Sequence, residues 1–195
     1  MVPVVPMAEP GNFDLLVRKP GEIFLKRSPN PKSSEWKEYW QESLPDMRLA
    51  YNKICAYSAC WIPHGTGSHS IDHFQSKQEF PQLAYEWTNF RYVSTRFNSR
   101  KGVRRILDPF SLLQDSFIID FSTFLIMPNS QILDEDAFEE ANETIRILKL
   151  NDDDDLVRER QEYYEYYTSG EISLEYLVSK APFIGYEVLR QKLTI

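Results

Sequence analysis

The dipeptide Asp72-His73 contains the side chains of this sequence that most directly suggest chemistry. A carboxylate such as Asp72 offers a hard oxygen to Mg²⁺ or a similar cation, and the imidazole of His73 can accept a proton from water near neutral pH. Adjacent residues of a regular strand point to opposite faces, so both side chains can serve one site only where the strand ends or bends. By itself, such a pair is more often an exposed strand end that has no catalytic role.

Two asparagines further along the chain extend this candidate site. Asn89 follows a loop that contains Pro81, and its amide is predicted to hold the His73 imidazole in one tautomer. Asn98 lies on a predicted helix, where its amide oxygen can serve as a second cation ligand beside Asp72. The prediction is therefore a general base, a group that orients it and two oxygen ligands for one metal ion.

Basic residues concentrate beside these positions, although the chain of 195 residues carries a net charge of −7. Positions 91–105 hold six Arg or Lys residues and no Asp or Glu. Like charges one helical turn apart repel each other, so a phosphate backbone would stabilise the cluster. A solvated face that is neutralised by the protein's own carboxylates explains the cluster equally well. The residues predicted to contact nucleic acid are Lys77, Arg96, Arg100, Lys101, Arg104 and Arg105.

Two short strands and a helix are needed to bring these side chains together. The alternating segments IDHF (71–74) and FRYVS (90–94) predict the strands, and TRFNSRKGVRR (95–105) predicts a helix with Gly102 as a stop or weak point. The first 33 residues contain six prolines and are predicted to form an extended arm, with a short strand at 22–27. A helix is predicted from Ser34 to an interruption at Pro45, followed by a second helical stretch over 46–60.

The remainder of the chain is predicted to form one strand or a hairpin over 116–127, bent near Asp120, and then helices from Asp134 onward. The expected fold class is α+β. It comprises an extended N-terminal arm (1–33), a core with preceding helices (34–115) and a C-terminal extension (116–195) that belongs to the same compact unit. No window approaches 18 uninterrupted apolar residues, and two cysteines cannot form a disulfide framework. We therefore expect a cytoplasmic protein without a membrane span.

The order of strand, loop, strand and helix, with these polar residues, resembles the HNH endonucleases, whose active site is a ββα-metal finger. The resemblance covers roughly residues 53–110 and is carried by CAYSAC, IDHF, EWTNF, FNSRKG and LDPF. These motifs are similar to those of the bacterial subgroup of PtuB-like (Septu) and retron-associated nucleases, which act in anti-phage defence.

This resemblance implies a metal-dependent endonuclease that hydrolyses phosphodiester bonds, with DNA as the expected substrate. It implies that His73 is the general base, that Asn89 supports it, and that Asp72 and Asn98 bind one divalent cation, Mg²⁺ or Mn²⁺. It also implies an ABC-type ATPase as a protein partner, because PtuB-like nucleases act together with one.

The chain departs from the subgroup at the cysteines that bind a structural zinc ion. Cys55 matches the first of them, but Ser58, Ser94 and Phe97 stand at the other three positions and cannot replace thiolate ligands. No structural zinc is therefore expected, and Cys60 is predicted to be a small buried apolar residue. Aromatic packing must then stabilise the finger, and the candidates are Phe74, Phe80, Tyr85, Trp87, Phe90 and Phe97.

Two other functions remain open at this point. The chain is, in one alternative, a non-catalytic adaptor that retains the ββα finger and binds nucleic acid or protein without cleaving it. In the other, it is a purely structural subunit whose Asp72 and Asn98 side chains lie far apart.

Overall fold

The computed structural model describes all 195 residues and shows an α+β protein that divides into two compact units. The first unit comprises Val5–Lys53 and Ile62–Arg105, and the second comprises Met1–Val4, Ile54–Trp61 and Ile106–Ile195. These boundaries differ from the predicted segments, which placed one boundary at 33/34 and the next at 115/116. No helix in the structure combines the length and the apolar character that crossing a membrane requires.

A helical segment, rather than an extended arm, occupies residues 14–27. A π-helical turn (Asp14–Arg18) continues directly into α1 (Lys19–Arg27), so the strand predicted at 22–27 is wrong. The buried positions of this segment repeat every four residues, as on one face of a helix: Phe13, Val17 and Gly21. Pro20 is the second residue of α1 and follows directly on the π-helical turn, so the proline content of this region was a misleading signal.

The long helix predicted from Ser34 does not form. The chain makes a short 3₁₀ turn at Tyr39–Ser43 and then α2 (Leu44–Ala50). Pro45 lies in the first turn of α2, where proline is well tolerated, so it begins a helix rather than interrupting one. The helical stretch predicted over 46–60 ends early because the backbone turns left-handed shortly after α2.

An antiparallel hairpin and a short helix form the centre of the first unit. β1 (His69–His73) pairs with β2 (Phe90–Ser94), and α3 (Thr95–Lys101) follows β2 directly and contacts both strands. α3 ends at Gly102, whose φ of +54° is the left-handed conformation that glycine adopts without strain. The predicted order of strand, strand and helix is confirmed, and so is the helix stop.

Aromatic side chains form much of the core of this unit. The Phe13 ring packs edge-on against Trp87 and Phe90, with centroid distances of 5.6 Å and 5.9 Å. Tyr85 and Phe97 are also buried. Four of the six predicted packing residues are thus in the core, and such aromatic pairs contribute stability beyond the area they bury.

The second unit contains the other hairpin and four helices. β3 (Phe117–Asp120) pairs with β4 (Leu125–Pro128), which confirms the hairpin alternative for 116–127. The C-terminal part is helical as predicted, with α4 (Glu135–Leu148), α5 (Asp154–Thr168), α6 (Leu174–Lys180) and α7 (Pro182–Arg190).

Both cysteines lie in a tight turn of the second unit. The backbone N–H of Cys55 donates a hydrogen bond to the carbonyl of Cys60 at 2.9 Å, and both cysteines are buried and form no disulfide. Burial raises the pKa of the Cys60 thiol far above its ordinary value, so the group stays protonated. Cys60 therefore packs as a small apolar side chain, as predicted.

Candidate active site

Asp72 and His73 are the last two residues of β1, where the strand gives way to the loop before β2. In the register of the hairpin, Asp72 lies opposite Arg91 and His73 lies opposite Phe90. Both side chains are buried, with 2% and 7% of the residue surface exposed. A buried carboxylate requires a compensating charge, and a buried imidazole is kept neutral.

Lys101, at the end of α3, supplies the compensating charge for Asp72. Its ammonium lies 3.1 Å and 3.3 Å from the two carboxylate oxygens and also donates a hydrogen bond to the His73 carbonyl at 3.0 Å. The Lys101 side chain is completely buried. The prediction that Lys101 contacts nucleic acid is therefore corrected: its position on α3 directs the ammonium into the protein, where it joins the helix to the end of β1.

The imidazole of His73 is fixed by one hydrogen bond and two aromatic rings. Its Nε2 atom lies 2.8 Å from the Ala84 carbonyl, and a carbonyl can only accept, so Nε2 carries the hydrogen and Nδ1 keeps the lone pair of the neutral ring. Trp40 and Phe90 contact the ring edge-to-face, with centroid distances of 4.7 Å and 5.3 Å. Burial, followed by the positive charge of Lys77, lowers the pKa of His73 to about 3.

Asn89 fastens the loop that leads away from His73. Its side-chain oxygen accepts a hydrogen bond from the Gln75 N–H at 2.7 Å, and its amide donates to the carbonyls of Gln75 (3.0 Å) and Leu83 (3.1 Å). The sequence predicted a direct bond from Asn89 to the imidazole, whereas the imidazole bonds to Ala84 instead. Asn89 thus acts on His73 through the backbone of the loop that carries its acceptor.

Asn98 lies on the face of α3 that contacts β1. Its amide nitrogen donates to the Ile71 carbonyl at 3.1 Å and to the Ser70 hydroxyl. Because a carbonyl can only accept, the nitrogen must face β1, and the side-chain oxygen remains for another partner. Asn98 is half-buried, so this oxygen is within reach of the solvent.

These groups meet in one cleft of about 390 Å³ within the first unit. Its floor contains Asp72, His73 and Asn98, and the loop after β1 adds Lys77. Asn89 is not among the lining residues, in keeping with its position beneath the loop. The predicted base and both predicted cation ligands therefore face a common space, although they come from different elements of the chain.

The opposite wall of the cleft was not foreseen from the sequence. It is formed by the segment around the 3₁₀ turn before α2, which contributes Glu38, Trp40 and Gln41. Trp40 is buried, and its contact with His73 makes it part of the site. No local signal could have shown this, because the contact depends on the packing of two segments that are distant in the chain.

The remaining predicted basic residues form a group that we call the arginine rim: Arg96, Arg100, Arg104 and Arg105. Arg96 and Arg100 belong to α3, whereas Arg104 and Arg105 follow it, since the helix ends before them. Arg96, Arg104 and Arg105 are exposed, and Arg100 is half-buried. Arg105 makes a long ion pair of 3.9 Å with Glu79, an interaction of little energetic value at the surface.

The donor set of the cleft fits Mg²⁺ or Mn²⁺ in chemical type. Asp72 and Asn98 offer oxygen atoms, and Mg²⁺ in enzymes commonly uses one or two protein oxygens together with water and substrate phosphate. No cluster of three His, Cys, Asp or Glu side chains that could hold a metal ion is present. The Lys101 ammonium against Asp72 repels a second cation, so these two oxygens alone would bind a divalent ion weakly.

Comparison with models of known protein families found no match for this chain, and comparison with curated proteins found none either. The residues of the cleft and the order of the elements that carry them are therefore the features that bear on function.

Proposed function

We propose that β1, β2 and α3 form a ββα-metal finger and that the cleft is the active site of an HNH-type endonuclease. The observation that carries this proposal is the convergence of Asp72, His73 and Asn98 on one cleft from a strand end and a following helix. A second observation supports it: the lone pair of His73 lies on Nδ1, because Nε2–H is committed to Ala84.

The proposed reaction is hydrolysis of a phosphodiester bond. His73 Nδ1 takes a proton from a water molecule, the water oxygen attacks phosphorus, and the bond from phosphorus to the leaving oxygen breaks. The leaving oxygen then takes a proton from the solvent. A pKa of about 3 keeps the imidazole unprotonated in the free protein, and the negative charge of a bound phosphate raises that pKa toward the range of an effective base.

Asp72 and Asn98 would hold the divalent cation in this proposal. The bound ion supplies positive charge that stabilises the phosphoryl and leaving oxygens. The residues of the chain then have separate duties: Lys101 fixes the Asp72 carboxylate and the end of β1, and Asn89 fixes the loop.

The arginine rim is proposed to bind the nucleic-acid backbone, for which DNA is the expected form. Guanidinium groups bind phosphate well, and contacts of this kind position a duplex without reading its sequence. Replacing Arg100 and Arg104 by Met is therefore expected to weaken binding and to reduce its salt dependence, with little effect on cleavage of bound substrate. An overall charge of −7 does not oppose this, because the rim is a local feature.

Plasmid cleavage in Mg²⁺ or Mn²⁺ tests the proposal. We expect cleavage that chelation of the metal abolishes, and a loss of about 10²–10⁴-fold in His73→Ala, the range that general base catalysis contributes. Single-stranded DNA and RNA should be assayed beside the plasmid, so that a negative result with one substrate does not end the test. Equal activity of the wild type and a folded His73→Ala variant would refute the assignment.

A role in bacterial anti-phage defence, with an ATPase as partner, is proposed from the resemblance alone. A nuclease with little sequence specificity requires control, and a partner ATPase would provide it. The test is co-purification of this chain with a candidate ABC-type ATPase, followed by cleavage assays with and without that protein and ATP. Unrestrained cleavage by the isolated chain, unchanged by the ATPase, would contradict this part of the proposal.

The ion pair of Asp72 with Lys101 favours a second candidate, a non-catalytic adaptor. A carboxylate that is buried and already neutralised is a poor cation ligand, and a protein that retained only the fold of the finger would still bind through its arginine rim. An adaptor is expected to bind nucleic acid with a salt dependence that divalent metal does not change, and to cleave no substrate. The cleavage assay therefore separates the two candidates, whereas a binding assay alone does not.

A further inference from the structure

Lys77 differs from every residue of the arginine rim in its surroundings. Its ammonium lies 4.6 Å from the centre of the Trp40 ring and 5.9 Å from that of Trp36, and it lines the same cleft as His73. The Lys77 side chain is half-buried, whereas no arginine of the rim lines the cleft. Glu38 and Asp72 act on it only at longer range, without a hydrogen bond.

An ammonium in this position retains its hydrogen-bonding capacity. Indole faces attract a cation through their quadrupole but accept none of its three N–H donors in the way that a carboxylate does. Burial lowers the pKa of Lys77, which shows that the charge is incompletely stabilised in the free protein. An anion that enters the cleft would stabilise this charge, and it would reach the ammonium from the cleft because the two indoles cover the other side.

The geometry points to Lys77 as the residue that binds the phosphoryl group at the reaction centre itself. Its ammonium forms a subsite for a single phosphate group, and this subsite does not require a nucleic-acid backbone. This inference deepens the proposed function and rests on it for the catalytic role, but not for the binding of the anion. Lys77 and His73 line the same cleft and both contact the Trp40 ring, so a phosphate held by this ammonium lies close to the proposed base. The rim then binds neighbouring phosphates, while Lys77 binds the one that reacts.

Inorganic phosphate is the probe, at constant ionic strength, with chloride as the reference anion. Two of the four tryptophans of the chain pack against Lys77, so their fluorescence reports binding in the cleft, and calorimetry provides an independent affinity. The variants are Lys77→Met, which keeps the aliphatic stem over the indoles, and Lys77→Arg, which keeps the charge. Lys26→Met is the matched control, because Lys26 is an exposed lysine of α1 that does not line the cleft.

We expect saturable binding of phosphate by the wild type and by Lys26→Met, at least about 10-fold weaker binding by Lys77→Met, and partial recovery in Lys77→Arg. Unchanged binding by a Lys77→Met variant with native near-ultraviolet circular dichroism would overturn the inference, as would a wild type that binds no phosphate. In cleavage assays the same variant should lower kcat with little change in KM. A rise in KM alone would make Lys77 another backbone contact and overturn its place at the reaction centre.

The two proposals can fail separately. A wild type that cleaves no nucleic acid but binds phosphate through Lys77 refutes the nuclease and supports the anion subsite. If the wild type cleaves nucleic acid, and if Lys77→Met changes neither phosphate binding nor kcat, the subsite is refuted and the nuclease is supported.

Discussion

The buried ion pair between Asp72 and Lys101 is expected to be the most sensitive polar contact of the first unit. Lys101→Met removes the ammonium but keeps a side chain of similar length, so the aliphatic packing is largely retained. Asp72 then stays buried without the ammonium that faces it, and the His73 carbonyl loses a hydrogen-bond donor. Breaking a buried ion pair in this way costs about 3–5 kcal/mol, because the carboxylate loses the positive charge that offsets its burial.

Urea denaturation followed by circular dichroism measures this cost directly. The informative comparison is a double-mutant cycle with Asp72→Asn and the double variant, since the double variant leaves no uncompensated charge. We expect it to be destabilised by less than the sum of the single variants, with a coupling of about 1–3 kcal/mol. A cost below about 1 kcal/mol for Lys101→Met, or strict additivity in the cycle, would show that the two groups do not form a buried pair.

Three further predictions address other contacts. Burial lowers the pKa of His73 from 6.5 to about 3, so between pH 6.5 and pH 3 this imidazole is protonated in the unfolded chain but not in the native protein. The free energy of unfolding should therefore fall as the pH decreases from about 6.5 toward 3, by up to about 1.4 kcal/mol per pH unit. Urea titrations at pH 6.5 and 4 should show about 3 kcal/mol more loss in the wild type than in His73→Gln, and parallel losses would contradict the burial of the imidazole. Asn89→Ala removes three bonds to loop backbone and should cost about 1–3 kcal/mol and lower cleavage, whereas a fully stable and active variant would show that the loop holds itself. Gly21→Ala should lower the free energy of unfolding, measured in urea, by about 1–3 kcal/mol, because the added Cβ would lie 2.1 Å from the Tyr85 ring. Alanine has the higher helix propensity, so a gain in stability would show that α1 does not pack against Tyr85.

Local patterns were sufficient to predict the elements that carry the candidate site. The alternation in 71–74 and 90–94, the glycine after Lys101 and the bend near Asp120 each correspond to a feature of the structure. These signals are read within a few residues, because backbone conformation and strand alternation are local properties. The N-terminal helix was missed although its four-residue period of buried positions was present, since proline content was given more weight than periodicity.

The partners of the site residues could not be predicted in the same way. Lys101 and the rim arginines are alike as basic residues in one stretch, yet Lys101 is completely buried against Asp72, whereas Arg96, Arg104 and Arg105 are exposed. The burial of these side chains differs because Lys101 lies on the face of α3 that packs on the hairpin. Which face that is depends on the contacts of α3 with β1 and β2. Likewise, the bond from His73 to Ala84 arises from the path of the loop, which no residue type specifies.

The sequence by itself determined which chemical groups this protein has available, and the order of strand, strand and helix that carries them. The tertiary structure alone decided that Trp40 closes the cleft over His73, that Lys77 stands in the cleft apart from the rim, and that Lys101 is paired inside. The physical reason is that alternation, helix period and turn preference act over a few residues, whereas burial and charge pairing depend on which distant segments pack together. The reactivity of a side chain is set by these long-range contacts, because they fix its solvation and its neighbouring charges.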